Sequence, residues 1–129
     1  MEQLRNIFLE ADEKQITVLG NRYIQSFLRT GREEGSFCIV SNYRLYIRGL
    51  LYKKAGKRYR KCRESQIMEL SQVYSCNRME IKHWNQNIPA MEIVCDGQTF
   101  AVPIRSCTEY ESAEFQKHLR MAMAYERRR

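Results

Sequence analysis

No stretch of this chain holds the ~20 consecutive apolar residues that a bilayer-spanning helix needs. The N-terminus, Met1-Glu2-Gln3-Leu4-Arg5, has no basic lead into an apolar core and reads as lacking a secretory signal. The five cysteines, Cys38, Cys62, Cys76, Cys95 and Cys107, include no CxxC pair. Zinc needs closely spaced thiols or imidazoles, and only His83 and His118 could add to the thiols, so neither metal nor cofactor is expected. An odd number of widely spaced cysteines reads as reduced thiols in a cytosolic protein, several of them small core residues. GxSxG, HExxH, GxxxxGK-S/T and GxGxxG are all missing. Cys76 with His83 is a conceivable dyad and Glu33-Glu34 a conceivable acid pair, but no motif surrounds either. Catalytic residues are therefore expected to be none, and the chain is not expected to be an enzyme. His118 reads as a surface or boundary histidine, and Trp84 as a core or rim plug.

What is present is a basic chain with enough apolar residues to fold. Its 129 residues carry 22 Lys and Arg against 15 Asp and Glu, a formal charge of +7, and 43% are hydrophobic. That size fits one domain over 1–129 with a real core. The charge is concentrated. From Lys53 to Arg63 the chain reads KKAGKRYRKCR, with seven cations in eleven residues and no acid. A solvated, aggregation-resistant edge would account for such a run. The alternative is a site for an acidic partner, formed by Lys53, Lys54, Lys57, Arg58, Arg60, Lys61 and Arg63. Side chains alternate across a strand, so all seven cannot share one face of a regular hairpin.

Hydrophobic periodicity gives the elements. Leu4, Ile7, Phe8 and Ala11 recur at helical spacing, which predicts a short amphipathic N-terminal helix over 1–11. Strands follow at Ile16–Leu19, continued after Gly20-Asn21 by Tyr23–Leu28, and then a polar loop over Thr30–Gly35. Phe37–Val40 reads as buried. Tyr43, Leu45 and Ile47 alternate with Arg44, Tyr46 and Arg48, a strand with one wet face that runs on through Tyr52. Ala55-Gly56 turns a hairpin whose arms hold the basic run, and the return ends near Leu70. Val73 to Trp84, Met91 to Cys95 and Phe100 to Ile104 complete the strands, with Asp96-Gly97 a type I′ pair and Pro103 near a strand end. Thr108 with Glu111 forms a capping box for a C-terminal helix over 108–127, whose buried face is Phe115, Leu119, Ala122 and Met123. Arg127, Arg128 and Arg129 crowd the negative end of its macrodipole. The sum is seven strands without βαβ alternation, hence an antiparallel small barrel or two packed sheets, with the helix filling an open end.

The segment GSFCIVSNYRLYIRG, Gly35 to Gly49, resembles a signature of pleckstrin-homology-like domains of the bacterial and GRAM type. The preceding EKQITVLGNRYIQSFL is similar to the opening strand region of bacterial members, and the resemblance spans Asp12 to about Tyr125. It implies a seven-stranded antiparallel split barrel capped by the C-terminal α-helix, with Ser41-Asn42-Tyr43-Arg44 as a tight turn between consecutive strands. The N-terminal helix is an addition to that minimal domain. Relatives in eukaryotes often bind phosphoinositides through basic residues on an early hairpin. Here the basic run follows the third strand instead of the first. Bacterial members are often cytoplasmic domains of membrane-associated proteins and sometimes self-assemble.

Three binding classes follow. The first is a module at the inner face of the cell membrane, touching anionic lipid through the basic hairpin. The closing Glu-Arg-Arg-Arg fits it, because such residues flank the cytoplasmic ends of membrane spans. The second is a protein-interaction or homo-oligomerising module, using open strand edges and Tyr46, Tyr52 and Tyr59. Nucleic-acid binding ranks last: Tyr52 and Tyr59 interleave with cations, but no recognition motif is present.

Overall fold

The computed structural model describes residues 13–19, 36–105 and 107–128. The expected helix over 1–11, the Gly20-Asn21 bend, the strand continuation over 23–28 and the loop over 30–35 lie outside the described residues. So do Arg129 and the side chains of Arg127 and Arg128.

Among the described residues nine strands precede one α-helix: β1 Gln15–Leu19, β2 Ser36–Ser41, β3 Arg44–Gly49, β4 Leu51–Ala55, β5 Arg58–Cys62, β6 Gln66–Glu69, β7 Val73–His83, β8 Gln86–Cys95, β9 Gln98–Pro103 and α1 Glu109–Arg128. They form two sheets, in the orders β1-β2-β3-β6 and β5-β4-β9-β8-β7. Every ladder is antiparallel.

Among the described residues the expected seven strands become nine, for one reason at two places. The run expected to continue from Tyr43 through Tyr52 breaks at Gly49, whose φ of 91° lies in the left-handed region that glycine enters freely. The chain there leaves the first sheet as β3 and enters the second as β4. The return arm likewise splits, with β5 staying beside β4 and β6 crossing back to pair with β3. Apolar residues on both sides of each break suit either a continuous strand or a corner, and only the sheets into which the pieces fit tell these apart.

The main core lies between the sheets. Cys38, Val40, Leu45 and Ile47 meet Met91, Ile93, Phe100 and Val102, and Phe115, Leu119, Ala122 and Met123 of α1 close the open side. The capping box that starts α1 is present in full: Thr108 N–H donates to Glu111 Oε1 at 2.8 Å, and Glu111 N–H donates to Thr108 Oγ1 at 3.0 Å. Glu109 and Glu111 sit in the first turn, where the helix dipole favours negative charge. The helix also covers an edge. The Cys76 carbonyl of edge strand β7 accepts from Gln116 Nε2 at 2.9 Å and from Arg120 Nε at 3.1 Å. Those bonds occupy a backbone acceptor that an added strand would need.

β3 has no wet face at Tyr46, contrary to its alternation. Tyr46 is buried because Glu13 lies over it. The Tyr46 hydroxyl donates to Glu13 Oε2 at 2.7 Å, Arg44 Nη1 donates to Glu13 Oε1 at 3.1 Å, and Ser41 Oγ bonds the same carboxylate. Burial and the Glu13 hydrogen bond push the Tyr46 phenol up from its ordinary value. Ser41 Oγ also accepts the backbone N–H of Tyr43 and Arg44, so the 41–44 turn and the buried carboxylate form one unit.

The five-stranded sheet is strongly curled. Its edge strands β5 and β7 approach each other: His83 Nδ1 lies 3.2 Å from the Tyr59 carbonyl, and the Tyr52 and His83 rings are 4.9 Å apart. A carbonyl only accepts, so His83 Nδ1 carries the proton. Inside the curl a second apolar cluster forms from Tyr52, Ile81, Ile88, Ala90 and Ala101, with Tyr59 and Met79 against it. This cluster, together with the cover of Glu13 over Tyr46, corrects the expectation of surface tyrosines. Tyr46 and Tyr52 are buried and cannot serve as surface aromatics, and Tyr59 is half-buried, its hydroxyl reaching Glu92 Oε2 at 3.4 Å.

Candidate functional site

The basic run forms a hairpin, β4–β5, with Ala55 opposite Arg58 and Gly56-Lys57 at the turn. Gly56 takes the positive φ the turn requires, 65°. All seven cations are exposed or lie just beyond the strand end. The ladder splits them as alternation demands. Lys53 stands opposite Arg60 and shares its face with Arg58, while Lys54 and Lys61 point the other way, opposite Tyr59 and Tyr52. Lys53 Nζ lies 5.9 Å from the Phe100 ring centroid and Lys54 Nζ lies 6.0 Å from that of Tyr59. Two like charges directly across a ladder repel, and among the described residues no carboxylate pairs with Lys53 or Arg60.

A second hairpin completes the site. β7 and β8 are joined at Trp84-Asn85, with His83 opposite Gln86. The curl of the sheet carries this tip alongside β5. The two tips border a cleft of about 480 Å³ lined by Lys57, Arg58, Tyr59, Arg60, Lys82, His83 and Trp84. Of the expected anion-binding residues, the structure therefore brings Lys57, Arg58 and Arg60 to one cleft. Lys53, Lys54 and Lys61 lie further down the hairpin, and Arg63 falls beyond its end.

The sequence reading missed Lys82, His83 and Trp84. Trp84 is no plug: it is 86% exposed, at the turn itself. The usable signal was the adjacency of a cation and the sole tryptophan to the Asn85-Gln86-Asn87 stretch. What hid it was the range, because residues 57–60 and 82–84 meet only through the curl. The cleft offers four cations, an imidazole and an indole. Lys57, Arg58, Arg60 and Lys82 take part in no hydrogen bond or ion pair with any carboxylate among the described residues. Such a set can hold a multiply charged anion and stack or bury a flat apolar group.

The other candidate chemistry does not assemble. Cys76 and His83 lie seven residues apart on β7, about 23 Å at strand spacing. Burial pushes the Cys76 thiol up to about 12, which disfavours the thiolate. Glu33 and Glu34 lie outside the described residues. His118 is half-buried as expected, its Nδ1 donating to the Glu114 carbonyl at 2.8 Å. Among the described residues no three His, Cys, Asp or Glu side chains gather where they could hold a metal. No described helix is long and apolar enough to cross a membrane. Comparison of the chain with protein-family models and with curated proteins returns no match.

Proposed function

We propose that this chain is a non-catalytic, pleckstrin-homology-like binding module that contacts an anionic membrane surface through the β4–β5 hairpin. It would act at the inner face of a bacterial membrane as the membrane-proximal part of a larger protein. The observation that carries this reading is the exposed hairpin whose cations lack acidic partners among the described residues. Each Lys or Arg near an anionic leaflet contributes ~1 kcal/mol. Five engaged together give roughly 5 kcal/mol, a weak attraction that salt screens. Splitting the cations between two faces suits a tip that enters the headgroup layer edge-on better than a sheet lying flat.

Flotation with phosphatidylserine-containing vesicles tests the proposal. Binding is expected at low ionic strength and is lost at high salt. The quadruple change of Lys57, Arg58, Arg60 and Lys61 to Glu abolishes it while the melting temperature stays nearly unchanged. Absence of flotation at low salt overturns the reading.

A second reading, association with another copy of the chain, draws support from a different face. Ile16, Met121 and Tyr125 are exposed beside an apolar hollow of about 220 Å³ near the end of α1. A sedimentation coefficient that rises with concentration supports it, and a constant monomer value overturns it.

A further inference from the structure

Three two-residue turns in the five-stranded sheet allow an internal comparison. Cys95 and Gln98 are joined by Asp96-Gly97, with φ of 30° and 81°. Ala55 and Arg58 are joined by Gly56-Lys57, with Gly56 at 65°. Both use residues that enter the left-handed region at little cost. The third turn places Trp84 there, at a φ of 58°. A bulky aromatic residue is a genuine outlier in that region. It is also 86% exposed, so its indole contributes little to the core. His83 meets it only edge-on, with ring centroids 6.2 Å apart. The fold thus carries both backbone strain and exposed apolar surface at one residue, beside Lys57, Arg58, Arg60 and Lys82. Strain of this kind persists where it serves a site.

We infer that Trp84 is an insertion anchor: the β7–β8 tip enters the interfacial layer of an anionic phospholipid bilayer while the surrounding cations hold headgroup phosphates. This rests on the membrane reading above and adds to it a depth and an orientation. The indole is an amphipathic ring suited to the level of the headgroups, with its N–H free to bond there. The four cations fix the sign of the lipid charge. Because Lys57 and Trp84 stand at neighbouring tips, one orientation brings both to the same plane.

The chain has one tryptophan, so its emission reports on position 84 without labelling. Vesicles of phosphatidylcholine with phosphatidylserine are expected to shift that emission to the blue, and lipids brominated high on the acyl chain to quench it. Pure phosphatidylcholine vesicles do neither. Trp84→Asn places a residue that tolerates the left-handed region, so the fold is retained; vesicle partitioning weakens roughly tenfold and the remainder is fully salt-sensitive. Flotation with unchanged Trp84 emission overturns the anchor and leaves the electrostatic reading standing. No flotation at low salt overturns both. Quenching by a single-stranded oligothymidylate, with no response to vesicles, overturns the anchor in favour of base stacking.

Discussion

Arginines that bond across the fold and cations at the hairpin tips are alike in charge and opposite in circumstance. Arg44 spans Glu13 and Glu69, at 3.1 and 2.9 Å. Arg78 bonds Gln116 Oε1 at 3.1 Å and pairs with Glu109. Arg120 holds the Cys76 carbonyl and, at 2.7 Å, Asn77 Oδ1. Each of these arginines ties two elements together. Lys57, Arg58, Arg60 and Lys82 bond no carboxylate among the described residues, and Lys53 faces Arg60 across the ladder. The difference teaches that a net charge of +7 is not one property. Part of the positive charge is structural, matched by carboxylates or neutral oxygens that the chain brings from far along the sequence. Another part, Lys57, Arg58, Arg60 and Lys82, meets no carboxylate among the described residues and is gathered around one cleft.

The contrast can be broken from the structural side first. Phe115 is fully buried where α1 meets both sheets. Phe115→Ala is expected to destabilise by about 3–5 kcal/mol, read from urea unfolding, because the site cannot collapse around the lost ring. Glu13→Ala comes next. It strips Arg44, Tyr46 and Ser41 of a shared acceptor, and a loss of about 2–3 kcal/mol is expected. A negligible change there would mean that the buried carboxylate is not the clasp described above.

Alkaline titration is a smaller probe of the same core. Burial raises the thiols of Cys38 and Cys76, the latter from 9.0 to about 12. In the unfolded chain these thiols lose their protons first, so above pH 9 the folded state holds more protons than the unfolded one. Their contribution to stability is whole below that pH and falls as pH rises toward 12. Cys76→Ala should flatten this part of the melting temperature profile, and an unchanged slope would remove the assignment. The smallest effect on stability belongs to the hairpin. Neutralising Lys53 to Thr relieves a like-charge pair, and the melting temperature is expected to stay level or rise slightly by calorimetry. A clear fall would move Lys53 to the structural group.

Much of the fold was legible where pattern and chemistry agree. The Thr108–Glu111 capping box, the Asp96-Gly97 turn, the basic hairpin and the four core residues of α1 are all local signals, readable within a few residues. The strand count failed at Gly49 and after Cys62, since a corner between sheets looks like a strand that continues. Tyr46 failed because its cover, Glu13, stands 33 residues away in sequence. Of the candidate site, the β4–β5 half was visible as composition. Its β7–β8 half was not, because Trp84 at the end of an alternating strand reads equally well as a plug.

Side-chain alternation, turn residues and capping are set by neighbours along the chain, and these the amino-acid order determined by itself: antiparallel strands, one closing helix, and an acid-free basic hairpin. Partnership between distant residues depends on how the sheets curl and which carboxylate arrives where, and only the tertiary structure decided that. It gave Arg44, Arg78 and Arg120 their partners, buried Tyr46 and Tyr52, and set Trp84 beside four exposed cations. The physical reason is the range of the forces involved. Backbone propensity acts over one turn or one strand, whereas burial and charge pairing act across whatever the fold brings together.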